Sequence, residues 1–303
     1  MLAIIIPYYK LSFFEDTLKS LASQTDKRFK VYIGDDASPE NPSAIVEKYQ
    51  KQLDLVYQRF ESNLGGDSLV QHWERCITMS HDESWFMLLG DDDTLSVNCV
   101  QEFYNSLPDI NTETCSVVRF ASVIIDAGNN QTSPLFKHPK IEKATDFFYR
   151  RFTNNTRSSL SEYVFKKSAY DTHGFYHYDM AWFTDDRAWL EFSGFDTIYS
   201  INTAHVNFRL SNENISRKDY KQHEKTLVRL QFFKFLLAEH LLKFKKAQQK
   251  HLTLYYEQLV YAHGKVSFSF WILVFWSFLK QLNLVQCIKF TRRMFIHLKN
   301  HGQ

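Results

Sequence analysis

Short unbroken apolar runs alternate with amphipathic stretches through the first hundred residues. Leu2–Ile6 is continuous and apolar, as expected of a strand covered on both faces. Pro7-Tyr8-Tyr9 ends it, and Phe13, Phe14, Leu18 and Leu21 then recur at helical spacing. The pattern repeats as a strand at Phe29–Gly34, a helix over Ser43–Gln52, a strand at Leu53–Gln58, a turn at Asn63-Leu64-Gly65-Gly66 and a helix through Trp73 and Ile77. A further apolar run, Trp85–Leu89, stops at Gly90, and Asp91, Asp92 and Asp93 follow at once. Strand and helix alternating at this pitch predict an α/β fold with a Rossmann-like, doubly wound, mostly parallel sheet.

Past the aspartates the pattern predicts a helix over Val97–Leu107 and a strand over Cys115–Ile125. Residues 126–145 read as a mobile polar loop, and Phe147–Phe152 as a short aromatic helix. Phe195–Ser200 and Thr203–Leu210 read as a pair of short strands. From Asp219 the character changes to long helical segments rich in Lys, Phe and Leu, so we divide the chain into 1–215 and a helical extension, 216–303. Val266–Leu279 in that extension is uncharged and apolar. As a helix it is about 21 Å long, at about 1.5 Å per residue, short of a bilayer core of about 30 Å. It reads as an interfacial helix, with a core-packing helix or a dimer contact as the alternatives.

In a parallel sheet, ligands gather at the carboxyl ends of the strands. The polar clusters of this chain fall there: Pro7-Tyr8-Tyr9, Asp35-Asp36, Asn63–Gly66 and Asp91–Asp93. Three adjacent carboxylates repel one another, and a hard divalent cation with oxygen ligands relieves that; a solvated capping turn is the alternative. Asp35-Asp36 is equally consistent with a helix cap and with acceptors for a ribose hydroxyl or a base N–H. A later run, Trp182 to Trp189, spaces Trp182, Asp185, Asp186 and Trp189 along one helical face. Partial burial there would raise a carboxyl's pKa and suit a general base, against a plain capping run paired with Arg187. No GxGxxG follows the first strand and no GxxxxGK[ST] occurs, which lowers the standing of a dinucleotide or P-loop site.

Net charge is only +2, but residues 1–216 hold 20 Lys and Arg against 30 Asp and Glu, a net of −10. Residues 217–303 hold 16 against 4, a net of +12. An acidic body with a basic, aromatic tail points to an anionic membrane surface as partner rather than to nucleic acid. Cys76, Cys99, Cys115 and Cys287 form no CxxC pair, which argues against a zinc site and for a reducing compartment. Leu2–Ile6 is too short for a signal-peptide core and lacks a basic flank, so the expectation is a cytoplasmic protein, peripheral on the membrane.

Taken in order, the motifs resemble those of family 2 glycosyltransferases with the GT-A fold. Ile4–Tyr9 is similar to their opening "IIIPxYN", Asp35–Ser38 to "DDxS", Asn63–Gly66 to the "NxGxxxA" turn, Leu89–Leu95 to "LDxDDxL" and Thr184–Asp186 to the late "ED". The match covers roughly residues 1–210. It implies a nucleotide-sugar site that includes Pro7, Tyr8, Tyr9, Asp35, Asp36, Asn63, Gly65 and Asp91, with Asp36 on the base, typically uracil. It implies Mn²⁺ or Mg²⁺ on Asp92 with Asp93 assisting, and Asp186, beside Asp185, as the base that takes the acceptor's proton. The reaction implied inverts the anomeric centre and builds a saccharide of the cell surface; the basic, aromatic tail, outside the match, adds the expectation of a lipid-linked acceptor. Gly90 stands where the first Asp of DxD usually sits, Lys10 replaces an Asn, and Asp185 replaces Glu. The QxxRW motif of processive synthases is missing, with Asn207-Phe208-Arg209-Leu210 in its region. A nucleotidyltransferase of similar fold lacks its glycine-rich loop here, and an inactive nucleotide-sugar-binding subunit would be free to lose Asp36, Asp92 and Asp186.

Overall fold

A computed structural model describes residues 1–211 and 221–301, without the side chains of 300 and 301. The chain divides into two compact units, Met1–Lys218 and Asp219–Gln303. The predicted boundary at 215/216 lies outside the described residues.

In the first unit, β1 (Leu2–Tyr8), β2 (Phe29–Asp35), β3 (Leu55–Arg59) and β4 (Trp85–Leu88) alternate with α1 (Phe14–Ala22), α2 (Ser43–Gln50) and α3 (Leu69–Ile77). The apolar runs become parallel strands because helices cover both faces of the sheet. Leu2 pairs with Phe29 and with Trp85, and Val31 with Leu55, all in parallel register. Helix α1 seals one side with Phe14, Leu18 and Leu21, all fully buried, and carries Glu15 and Asp16 in its first turn, where the helix dipole favours anions.

The rest of the unit comprises β5 (Thr94–Leu95), α4 (Cys99–Thr112), β6 (Val117–Ile125), β7 (Ile141–Lys143), α5 (Ala144–Phe152), β8 (Tyr163–Lys166), α6 (Lys167–His173), α7 (Thr184–Phe192) and β9 (Thr197–Arg209). Among the described residues the sheet runs β3-β2-β1-β4-β8-β6-β9-β5, with β7 on β9. The strand β8, which no sequence pattern announced, lies antiparallel between β4 and β6.

Two expectations are corrected. The pair of short strands at Phe195–Ser200 and Thr203–Leu210 is a single 13-residue strand, β9. Both halves run parallel to β6, and the turn-like middle is absorbed by a register shift between Phe120 and Ala121 instead of a reversal. The expected mobile loop at 126–145 is tied to the sheet, through β7 on β9 and through bridges from Phe136 to Ser122 and from Gln131 to Ile125.

The second unit contains α8 (Gln222–Phe235), prolonged by a π turn at Leu236–His240, then α9 (Lys246–His263), α10 (Phe268–Lys280) and α11 (Leu284–His301). Its core holds Phe232, Leu236, Leu252, Val274, Phe278 and Phe290. Arg293 donates to both oxygens of Glu257, at 2.6 and 2.7 Å, tying α11 to α9. No helix of the described residues is long and apolar enough to cross a membrane.

Candidate active site

The parallel strands β1, β2 and β4 deliver Tyr8, Asp35 and Leu88 to one edge of the sheet, and the predicted polar clusters meet there. The Asp91–Asp93 turn is built from inside. Asp91 Oδ2 accepts the backbone N–H groups of Tyr9 and Lys10, each at 2.8 Å, and so pins the end of β1. Asp93 is buried; its Oδ1 accepts from the Arg209 N–H at 2.8 Å and its Oδ2 from the Ser161 hydroxyl at 2.5 Å. The Thr17 hydroxyl donates to the carbonyls of Asp91 and Asp93, at 3.1 and 2.8 Å. Burial, and then the charge of Asp92, push the Asp91 carboxyl up to about 6 and that of Asp93 up to about 7. Asp92 is half-buried.

Gly90 has a local reason. A Cβ there would lie 3.0 Å from Asp92 Oδ1 and 3.1 Å from Asp93 Oδ2, so a side chain at 90 would crowd the carboxylates that fold over it. The glycine thus occupies the position where the related motif has an aspartate.

Do these residues fit a divalent cation? Among the described residues, no group of three or more His, Cys, Asp or Glu side chains could hold a metal ion. A closed protein cage is therefore not what this turn offers. Mg²⁺, however, is commonly held by one or two carboxylates with substrate phosphates and waters completing the shell. Asp92 fits that manner of binding. Asp93, expected to assist the metal, has both oxygens engaged by the protein.

The Asp35-Asp36 pair is equally committed. Asp35 Oδ1 accepts from Ser38 N–H at 2.8 Å, and its Oδ2 from the Tyr57 hydroxyl at 2.6 Å and Arg59 Nη1 at 2.8 Å. Asp36 accepts from the N–H groups of Leu64 and Gly65, each at 2.8 Å, and from Arg75 Nη2. These bonds fix the 63–66 turn against β2, and Asn63 closes it by accepting from Gly66 N–H at 2.7 Å. His72, 3.5 Å from Asp36, is pushed down to about 4 by burial and stays neutral near pH 7, accepting from Arg75 Nε at 3.0 Å. Tyr8 is buried and Pro7 half-buried, while Tyr9 is exposed at the rim. A Cβ on Gly65 would sit 2.5 Å from Asp36 Oδ2. Gly65→Ala is accordingly expected to destabilise the protein by about 1–3 kcal/mol through that overpacking. Denaturant unfolding checks this, and parental stability would show that the carboxylate can step aside.

The late aspartates sit in the first turn of α7. Trp182 lies before the helix, so it does not share the helical face expected for it. The entry is a turn in which Met180, Ala181 and Phe183 all have left-handed φ angles of 57°, 54° and 65°. Such angles in non-glycine residues cost about 1–3 kcal/mol each and cluster at functional sites. Asp185 is half-buried and Asp186 fully buried. Neither Asp186 oxygen accepts a hydrogen bond, and Arg151 Nη1 lies 3.1 Å from Oδ1. Burial raises the Asp186 carboxyl to about 7, with Asp185's charge adding to the rise and Arg151 opposing it. Arg151, Ser161, Arg75 and Arg209 carry no motif, and no spacing in the sequence marked their roles.

A model of glycosyl transferase family 2 matches residues 3–183. Among curated proteins, the chain is similar to the poly(ribitol-phosphate) beta-N-acetylglucosaminyltransferase TarS of Staphylococcus aureus. The identity is 32% over 94 residues, which is 30% of this chain and only 16% of the relative's length. Among solved structures, S. aureus TarS 1-349 in complex with UDP-GlcNAc aligns at a TM-score of 0.62 and 15% identity, over 92% of this chain and 80% of that one. The same fragment with UDP aligns at 0.54 and 16%, over 100% and 92%. At such identities the likeness speaks for the fold: a GT-A sheet with a helical extension.

Proposed function

The chain belongs to glycosyl transferase family 2, and from that premise we propose that it transfers a sugar from a UDP-sugar to a hydroxyl of a saccharide or lipid-linked saccharide. The arrangement that carries this reading is the Asp91–Asp93 turn at the carboxyl edge of the parallel strands. There Tyr9, Lys10, Ser161 and the Arg209 N–H hold Asp91 and Asp93, and so fix the turn that carries Asp92. UDP as the donor's nucleotide draws support from the relative whose structures hold UDP-GlcNAc and UDP. The curated relative acts on poly(ribitol-phosphate), as its name states, which favours a hydroxyl-bearing polymer as the acceptor here.

In this reading Asp35 and Asp36 build the wall of the nucleotide pocket by holding Tyr57, Arg59 and the 63–66 turn, with Pro7 and Tyr9 at its rim. Asp92 would hold Mn²⁺ or Mg²⁺, which would supply positive charge against the growing charge on the leaving diphosphate. Asp186 receives the proton of the acceptor hydroxyl. The freed oxygen forms the new bond to the anomeric carbon as the bond from that carbon to the diphosphate oxygen breaks. The electron pair leaves with the nucleoside diphosphate, and the anomeric centre is inverted.

A donor screen tests the reading. UDP-, GDP- and dTDP-sugars with Mn²⁺ or Mg²⁺ are scored by thermal shift and slow donor hydrolysis. The expected result is stabilisation by UDP-sugars that depends on the cation and is lost with a chelator. Asp92→Asn should weaken metal-dependent donor binding at least as much as the about 10–100-fold that changes around a metal ligand cost. Equal binding by Asp92→Asn in the presence of metal would remove Asp92 from its role. We also assign the chain's work to an anionic membrane surface through its basic second unit.

A further inference from the structure

We propose that the outward face of the α10–α11 hairpin is the part of the protein that docks on an anionic lipid bilayer. This rests on the membrane reading above and says which residues make the contact. On α10, Phe268, Ile272 and Trp276 follow at four-residue intervals and are 79%, 54% and 53% exposed. On α11, Leu284, Ile288 and Phe295 share one face at spacings of four and seven, and Ile288 is 72% exposed. Large apolar side chains gathered this way on one hairpin mark an interaction surface rather than the scattered exposure of an ordinary exterior.

Charge names the occupant. Lys289, Arg292 and Lys299, all exposed, line α11 immediately beside its apolar stripe. From Gln258 to Gln303 the sequence holds six Lys or Arg and no Asp or Glu. The last acidic side chain in the sequence, Glu257, is turned inward onto Arg293. An apolar stripe flanked by cations is the pattern of a helix lying in the headgroup region of an anionic bilayer, and an exposed Trp suits that depth. A two-fold contact with a second copy would set these cations against one another with no carboxylate on the face to answer them. Neither helix is long and apolar enough to cross a membrane, and the proposed contact is made along the exposed stripes.

The test uses the full chain and vesicles of phosphatidylcholine with or without phosphatidylglycerol, read by sedimentation and by the tryptophan emission maximum. The expected result is salt-sensitive binding to the anionic vesicles alone. Lys289→Gln/Arg292→Gln/Lys299→Gln should weaken it by about fivefold per cation, about a hundredfold in all. Ile272→Ser/Trp276→Ser/Ile288→Ser/Phe295→Ser should abolish it. All of these positions are exposed, and circular dichroism together with unchanged donor hydrolysis controls for folding. Parental binding by both variants would overturn this face and leave the membrane reading standing. No binding by the parent overturns both, while donor hydrolysis, which does not involve these residues, reports separately on the transferase. A dimer dissolved by the serine variant, without lipid binding, would make a second copy the occupant and overturn the proposal.

Discussion

Replacing Asp186 with asparagine is expected to lower turnover by about 10²–10⁴-fold, the range that a positioned base contributes, with donor affinity unchanged. The expectation rests on an energetic oddity. A buried carboxylate normally collects hydrogen-bond donors, because leaving it without them is costly. Asp186 has none, only the Arg151 guanidinium 3.1 Å away. A group kept in that state with its pKa raised to about 7 is poised to accept a proton near neutral pH. Transfer should therefore rise with pH through an acid limb near 7. Because Asp185 raises that pKa and Arg151 lowers it, Asp185→Asn should move the limb to lower pH and Arg151→Gln to higher pH. Stability carries the opposite sign. The folded protein keeps a proton that the unfolded chain, with an ordinary value of about 3.9, has already released. Asp186's contribution is therefore fully present below about pH 4 and is lost as pH rises toward about 7. Asp186→Asn should flatten that part of the curve. Turnover at the parental rate, or a limb that ignores both neighbours, would remove Asp186 as the base.

The strands, and the edge of the sheet where the polar clusters gather, were legible because a buried parallel strand has no choice but to be a continuous apolar run. Leu2–Ile6 and Trp85–Leu89 read as strands for that reason, and the polar residues after them could only emerge at the carboxyl edge. The Asp triplet was legible as a cluster but not in its division of labour. That division is made by partners far along the chain: Ser161 on Asp93, Tyr9 and Lys10 on Asp91. Likewise, nothing local showed that Leu64, Gly65 and Arg75 would donate to Asp36. The left-handed turn at Met180–Phe183 contains no glycine or asparagine to announce it, so the helix seemed to begin early enough to include Trp182. Local patterns reported burial and periodicity faithfully; pairings across the sheet lay beyond them.

Arg209 is where that gap matters most, and Arg209→Ala is expected to cost about 2–4 kcal/mol, as loss of several part-buried hydrogen bonds made by one fully buried side chain does. The residue is fully buried. Its Nε donates to the Asp92 carbonyl at 2.8 Å, and Nη1 to the Asp126 carbonyl at 3.0 Å. Nη2 donates to Asn129 Oδ1 at 2.7 Å and to Asp16 Oδ2 at 3.2 Å, and the guanidinium lies over the Phe13 ring at 4.3 Å. One planar fork therefore joins the first turn of α1, the 126–129 turn and the backbone of Asp92. Alanine would leave part-buried carbonyls without this donor, and such a loss weighs more than the hydrogen bond itself gained. Against a typical domain stability of about 5–15 kcal/mol, that loss is a large fraction of what keeps the first unit folded at 25 °C. Arg209→Lys keeps the charge but cannot reach three directions from one nitrogen, so it should fold with an intermediate loss. The lysine variant separates scaffold from site. If Arg209 positions Asp92, the variant should bind UDP-sugar more weakly with Mn²⁺ present and equally well in chelator. If Arg209 only stiffens the fold, its loss appears in the unfolding midpoint alone. Loss below about 1 kcal/mol for alanine, with metal-dependent donor binding intact, would show that the neighbouring strands hold the aspartate turn without it.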